Sequence, residues 1–172
     1  MALLYKKIIQ PVLFKFDPEK VHDFTIKLLS LGITPALLRP FLRSEDKKLE
    51  VKVGRLTFKN PVGLAAGMDK SSTALRSWEA IGFGFAEAGT VTPLPQEGNE
   101  KPRMFRLPQY GGIINRLGFN NPGADRFEEN LESMKEVLPK DFIVGVNIGK
   151  NKRTELDDAY QDYKFSFQRC FE

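Results

Sequence analysis

Short apolar runs, each followed at once by glycine and polar residues, recur along the second two-thirds of this chain and narrow its possible folds more than any other feature. The sharpest is FKNPVGLAAGMDK at residues 58–70. Asn60-Pro61 predicts a turn, residues 62–66 a buried strand, and Ala65, Ala66 and Gly67 a small-residue elbow that delivers Asp69 and Lys70. Small residues let backbone approach a flat ligand that bulkier side chains would hold off. A lysine directly after such an elbow aims one charge and three donors at the ligand. Residues 84–95, 114–123 and 144–152 repeat the pattern. Helical segments between the strands predict parallel βα units, with a ligand at the C-terminal ends of the strands.

The rest of the chain is compatible with an ordinary globular protein. Of 172 residues, 41% are apolar and 28% charged, enough to bury a core. No run reaches the roughly eighteen apolar residues of a membrane span, and the N-terminus does not read as a signal peptide. A single cysteine, Cys170, excludes an internal disulfide. Charge is uneven: residues 1–56 carry eleven Lys and Arg against six Asp and Glu, whereas residues 57–172 carry fifteen against sixteen. A positive front points to a surface partner for that region rather than to nucleic acid along the whole chain. No metal site is expected.

The front predicts helices. Leu4, Tyr5, Ile8, Ile9, Val12, Leu13 and Phe16 fall on one arc, with Lys6, Lys7 and Gln10 opposite. Pro11 is expected to kink or restart this helix. Asp17-Pro18 marks a second helix over 18 to about 31, ended by Gly32, and Thr34-Pro35 a third that stops near Pro40. This helical region either packs on the rest of the chain or rests, as a basic amphipathic module, on a membrane surface. After it come a β-hairpin turning at Gly54-Arg55, the strand over 62–66, a helix over about 72–81 and a strand over 85–90. A proline- and glycine-rich loop over 92–112 follows, then a helix over 124–137, a strand over 143–148 and a final helix from about 155. That is three βα units, too few for an open sheet to stand alone, so the chain reads as the front of something longer.

Several residues could carry chemistry, each with a plainer reading beside it. Asp69 and Lys70 could be an ordinary helix start. Thr90 and Thr92 could bind a ligand edge or cap a loop. Lys101, Arg103 and Arg106 could be a solvated run, although apolar neighbours make Arg106 the least suited to open solvent. Asn115 and Arg116 precede Gly118 with mixed donors and acceptors that suit a planar heterocycle, while turn chemistry accounts for Asn120 and Asn121. Asn147, inside an apolar strand, needs a partner. His22, the one histidine, shares a helical face with Ile26 and Leu29 and reads as structural.

FKNPVGLAAGMDK, EAGTVTPLPQEGNEKPRMFRLP, INRLGFNNPG and GVNIGKNK, in this order and spacing, closely resemble the quinone-linked (class 2) dihydroorotate dehydrogenases. DPEKVHDFTIKLL resembles their N-terminal extension. The resemblance covers essentially the whole chain. It implies an α/β fold of the (β/α)8 TIM-barrel family: a helical extension over 1–43, then about three βα units of an FMN-binding barrel over 44–172. The implied reaction oxidises dihydroorotate to orotate in pyrimidine (UMP) biosynthesis. A base takes the C5 proton, hydride leaves C6 for flavin N5, and a membrane quinone accepts the electrons.

Carried over residue by residue, Ala65, Ala66, Gly67, Met68, Asp69, Lys70, Thr90 and Asn147 match FMN-contacting positions. Lys70, Asn115, Arg116, Leu117, Gly118 and Phe119 match substrate-contacting ones. His22 and Arg106 resemble residues lining the quinone entrance. The resemblance implies peripheral attachment at the cytoplasmic face of a bacterial inner membrane, or alternatively at the mitochondrial inner membrane. The family's serine base, its flavin-phosphate site and a second lysine have no counterpart in these 172 residues, so no catalytic residue is assigned and the chain alone is expected to be inactive. The alternatives are a catalytically dead remnant, a membrane-associating module, or another FMN oxidoreductase.

Overall fold

Asp17 accepts a hydrogen bond from the Lys20 amide at 2.9 Å and starts the second helix where the sequence puts it. In the computed structural model, which describes residues 2–43 and 46–171, the front is helical: α1 (Ala2–Leu4), a π-helical stretch over Tyr5–Ile9, α2 (Gln10–Leu13), α3 (Pro18–Leu29) and α4 (Thr34–Leu42). Pro11 does not break the first helix. The turn before it widens, so that the Gln10 amide reaches the carbonyl of Tyr5, and the chain passes through a residue that has no amide hydrogen to give. The second helix closes at Ser30, two residues before Gly32. The third runs through Pro40 to Leu42 instead of stopping there. Its last turn is closed by the Arg43 amide on the Arg39 carbonyl, and Arg39 and Arg43 both pair with the buried Glu79. Tertiary anchoring outweighs the one missing bond.

The expected hairpin forms as β1 (Val51–Val53) and β2 (Leu56–Phe58), and its Phe58 ring meets Phe85 edge-on with centroids 4.9 Å apart. Three parallel strands follow: β3 (Gly63–Leu64), β4 (Phe85–Val91) and β7 (Ile143–Ile148), adjacent in the order β3-β4-β7. The crossovers carry α5 (Leu75–Ala80) and α6 (Ala124–Lys135), and α7 (Ala159–Phe171) follows β7. Consecutive parallel strands lying side by side with intervening helices are the arrangement of a partial (β/α) barrel.

Two elements are shorter than expected for one reason. β3 keeps only two residues because the chain leaves the ladder after Leu64 to form the elbow, where the Gly67 amide donates to the Gly89 carbonyl at 2.8 Å. α5 starts at Leu75 rather than Ser72, since residues 69–74 wrap around the Asp69 carboxylate and Ser72 sits at φ +54°. The stretch over 92–112 is not all loop. It contains β5 (Met104–Leu107), which pairs antiparallel with β6 (Gly112–Asn115), so residues 114 and 115 lie in a hairpin and not in a parallel strand. The final helix begins at Ala159, four residues late.

The core lies between the sheet and its helices. Ala86, Ala88 and Val91 of β4 are buried with Leu75, Trp78, Ala124 and Phe127. Alternation then turns Glu87 to the other face of the strand, away from the helices. The boundary placed at residue 44 lies outside the described residues, as do residues 1 and 172, the outer limits predicted for the first and final helices.

Candidate active site

The C-terminal ends of the strands open on a cleft of about 640 Å³, a size suited to a small molecule. Ala66, Gly67, Met68 and Lys70 come to it from the end of β3, Thr90 from β4, and Asn115, Arg116, Leu117, Gly118, Phe119 and Asn120 from the segment after β6. α3 closes the cleft with Glu19, His22 and Asp23. The tertiary structure thus brings together most of the residues singled out in the sequence. Ala65 and Gly67 are exposed, and a β-carbon built at Gly67 would meet no atom within 4 Å. The elbow therefore presents bare backbone, a floor on which a planar ring could lie.

Charge and hydrogen bonding on that floor are specific. Lys70 is half-buried, and its ammonium donates to Asn120 Oδ1 at 2.5 Å. Burial, followed by the nearby Arg103 cation, pushes its pKa below the usual lysine value. Asp69 is turned inward. Its Oδ1 accepts from the Thr73 amide at 3.0 Å, while Oδ2 accepts from the Ala74 amide at 2.9 Å and Trp78 Nε1 at 3.2 Å. Burial nevertheless raises its pKa. The Asp69 side chain thus organises the start of α5, and Ala65, Asp69 and Asn147 are not among the residues lining this cleft.

Thr90 Oγ1 donates to Asn147 Oδ1, and Asn147 Nδ2 donates to Glu87 Oε1 at 3.0 Å. Asn147 therefore has the partners that its position in a strand demanded. Asn115 and Arg116 are exposed at the rim, with Arg116 Nη2 donating to the Pro102 carbonyl at 3.1 Å. His22 faces both this cleft and a neighbouring one of about 880 Å³ that also reaches Lys70, and burial lowers its pKa against the pull of Asp23. Arg106 stands apart from the cleft. It donates to the Phe16 carbonyl at 2.7 Å and lies 4.7 Å from the Phe14 ring centroid, tying the front helices to β5. A smaller cavity of about 310 Å³ by Arg43, Lys59 and Asp141 has charges of both signs and no small-residue floor.

The family model for dihydroorotate dehydrogenase matches residues 48–170. The chain belongs to the dihydroorotate dehydrogenase family. It is 48% identical to the dihydroorotate dehydrogenase (quinone) of Christiangramia forsetii and 46% identical to that of Shewanella piezotolerans. Each alignment covers 98% of this chain, but only 49% and 48% of the relative. A crystal structure of dihydroorotate dehydrogenase from Eimeria tenella in complex with ferulenol superposes with a TM-score of 0.80 at 43% identity, over 90% of this chain and 41% of that one. The chain spans about half the length of the curated relatives it matches.

Within the dihydroorotate dehydrogenase family frame, three contributors to the site's architecture had no assigned part in the sequence reading. Arg103, grouped there with a solvated run, is buried. It holds the equally buried Glu19 of α3 through Nε at 3.0 Å and Nη2 at 2.6 Å. Glu87 orients Asn147, and Asn151 gathers Thr92, Leu94 and Gln96. Only Glu87 left a readable signal, a carboxylate between two alanines of a buried strand. The carboxylate that Arg103 pairs with and the groups that the Asn151 side chain gathers lie 84 and more than 50 residues away, beyond any local pattern.

Proposed function

We propose that this chain forms the first part of a quinone-linked dihydroorotate dehydrogenase, supplying the FMN floor and one wall of the dihydroorotate site. The observation that carries the proposal is the cleft in which the bare elbow at Gly67, the Lys70 ammonium and Thr90, itself bonded to Asn147, meet. A flat heterocycle with donors and acceptors along one edge fits that set: small residues beneath the ring, a cation and an amide at its rim. Ala65, Ala66, Gly67, Met68, Lys70, Thr90 and Asn147 would hold FMN, with the Asp69 carbonyl tying the elbow to Gly89. Bound FMN supplies the two-electron acceptor that dihydroorotate oxidation requires.

The chain's own residues do the positioning. Lys70 uses one donor on Asn120 and keeps two for anionic ligand oxygens, and half-burial strengthens that attraction relative to open water. Asn115, Arg116, Leu117, Gly118 and Phe119 would wall the pyrimidine. The base that takes the C5 proton lies outside these 172 residues, so the chain alone would bind without turning over.

His22 would stand at the quinone side of the cleft, while Arg106 would hold the front helices over that entrance. Among the described residues no single helix is long and apolar enough to cross a membrane; α3 and α4 reach that length and apolarity only as a pair bent by 96°. The apolar residues left exposed on the front, among them Leu4, Ile8, Val12, Phe24 and Phe41, support attachment to a bilayer surface where a quinone resides.

Titrating the chain with FMN and following flavin fluorescence tests the reading. Saturable quenching that Lys70→Ala weakens about tenfold is the expected result, since a charge-assisted hydrogen bond is lost. Fluorescence unchanged by the folded chain would sink it.

A further inference from the structure

Lys70 follows an elbow in which its neighbour Asp69 is fixed by three donors, yet its own side chain is placed by something else. Among the described residues the ammonium's hydrogen-bond acceptor is Asn120 Oδ1, which belongs to a different unit of the fold. Where Asn120 stands therefore decides where the positive charge of the site points.

Asn120 lies in a half-buried connection between β6 and α6 that has no helix or strand hydrogen bonding of its own to hold one conformation. The next residue holds it. Asn121 Oδ1 accepts from the Thr92 amide at 3.2 Å and from the Gly123 amide at 2.9 Å. Its Nδ2 donates to Thr92 Oγ1 at 2.9 Å and to the Phe119 carbonyl at 2.7 Å. All the side chain's polar capacity is thus engaged, on both sides of Asn120 and on the residue that follows β4. Thr92 is fully buried, and its hydroxyl donates to the Leu94 carbonyl at 2.8 Å while accepting from Asn151 Nδ2 at 3.1 Å. The segment that presents Asn120 is therefore clamped by side chains to the residue that follows β4, and by a backbone bridge between Asn121 and Gln96 to the loop beyond it.

We infer that Asn121 and Thr92 are positioning residues for Lys70: their reciprocal hydrogen bonds clamp the turn that holds Asn120 Oδ1 against the ammonium. Neither touches Lys70, and the effect passes through Asn120. An amide is suited to the receiving position. A carboxylate there would neutralise the lysine, whereas Asn120 fixes its direction and leaves its charge for an anionic ligand. The ligand part of this inference rests on the function proposed above; the clamp does not.

Proton exchange of the Lys70 ammonium, read by nitrogen-15 NMR on the 172-residue chain without flavin or substrate, tests it. Lys70→Arg identifies the signal. Asn120→Ala, Asn121→Ala and Thr92→Val are each expected to speed exchange about tenfold, the factor for losing a hydrogen bond to a charged group. Thr92→Ser, which keeps the hydroxyl, should restore slow exchange. Asn60→Ala, which removes a comparable turn clamp on the Gly82 carbonyl and the Val62 amide at the other end of β3, should leave it slow. Should Asn121→Ala not fold, the contrast between Thr92→Val and Thr92→Ser decides by itself. Slow exchange in Thr92→Val, or exchange as fast in Asn60→Ala as in Asn121→Ala, would overturn the inference. A failed flavin titration alongside the expected exchange pattern would remove the functional reading and leave the clamp standing.

Discussion

Asp69 shows how far a single residue's role depends on which way it faces. Its place after a small-residue elbow suggested a ligand contact, yet two backbone amides and the Trp78 indole converge on its carboxylate. Three donors meeting two oxygens suit a carboxylate and no neutral isostere. Asp69→Asn would set an amide NH₂ against at least one of these donors, at a cost of about 2 kcal/mol for an unsatisfied buried group. Urea unfolding followed by Trp78 fluorescence reads this directly, and an unchanged midpoint would contradict it. Lys70 was legible in the sequence as a charge delivered by an elbow. Its acceptor was not, because Asn120 reads locally as turn chemistry and lies 50 residues away.

Among the elements, the joint between α3 and the segment entering β5 governs how the front helices close the cleft. Glu19 and Arg103 are both buried, with Lys101 at 3.3 Å on the same carboxylate. The Arg103 hydrogen bond, outweighing burial, holds the Glu19 carboxyl below its usual 4.5. A lowered carboxylate pKa means that this contribution is present above about pH 4.5 and is lost as pH falls through the lowered value. Arg103→Met leaves Glu19 charged and mostly unpaired, and should cost on the order of 3 kcal/mol at neutral pH. The difference from the parent should narrow in acid, where Glu19 protonates. Thermal melting across a pH series measures both, and a gap independent of pH would place the effect elsewhere. The β5–β6 hairpin shows the limit of sequence patterning at this scale. Four-residue strands flanking a proline and a glycine give too short an alternation to distinguish from loop.

At the scale of the molecule, the front of the chain is apolar and basic, and its α3 closes the cleft. Ile8 and Val12 are 58% and 51% exposed, and both project from the positive front of the chain. The chain is expected to co-sediment with anionic vesicles, less so as salt is raised, because basic residues near a charged surface each contribute about 1 kcal/mol. Replacing Ile8 and Val12 together by Glu should abolish co-sedimentation and leave the melting temperature unchanged, since neither residue is in the core. Vesicle binding that survives the double change would assign the attachment to another surface.

The sequence by itself determined the parallel βα order, the helical front and the elbow, because each rests on a local pattern of apolar period, cap or turn, while most residues around the cleft followed from the family resemblance. The hairpin inside the long loop, the burial of Arg103 against Glu19, the inward turn of Asp69 and the Asn121–Thr92 clamp on Asn120 were decided only by the tertiary structure. They depend on which distant segments meet at the strand ends, and a buried polar group takes whichever partner the fold brings within hydrogen-bond reach.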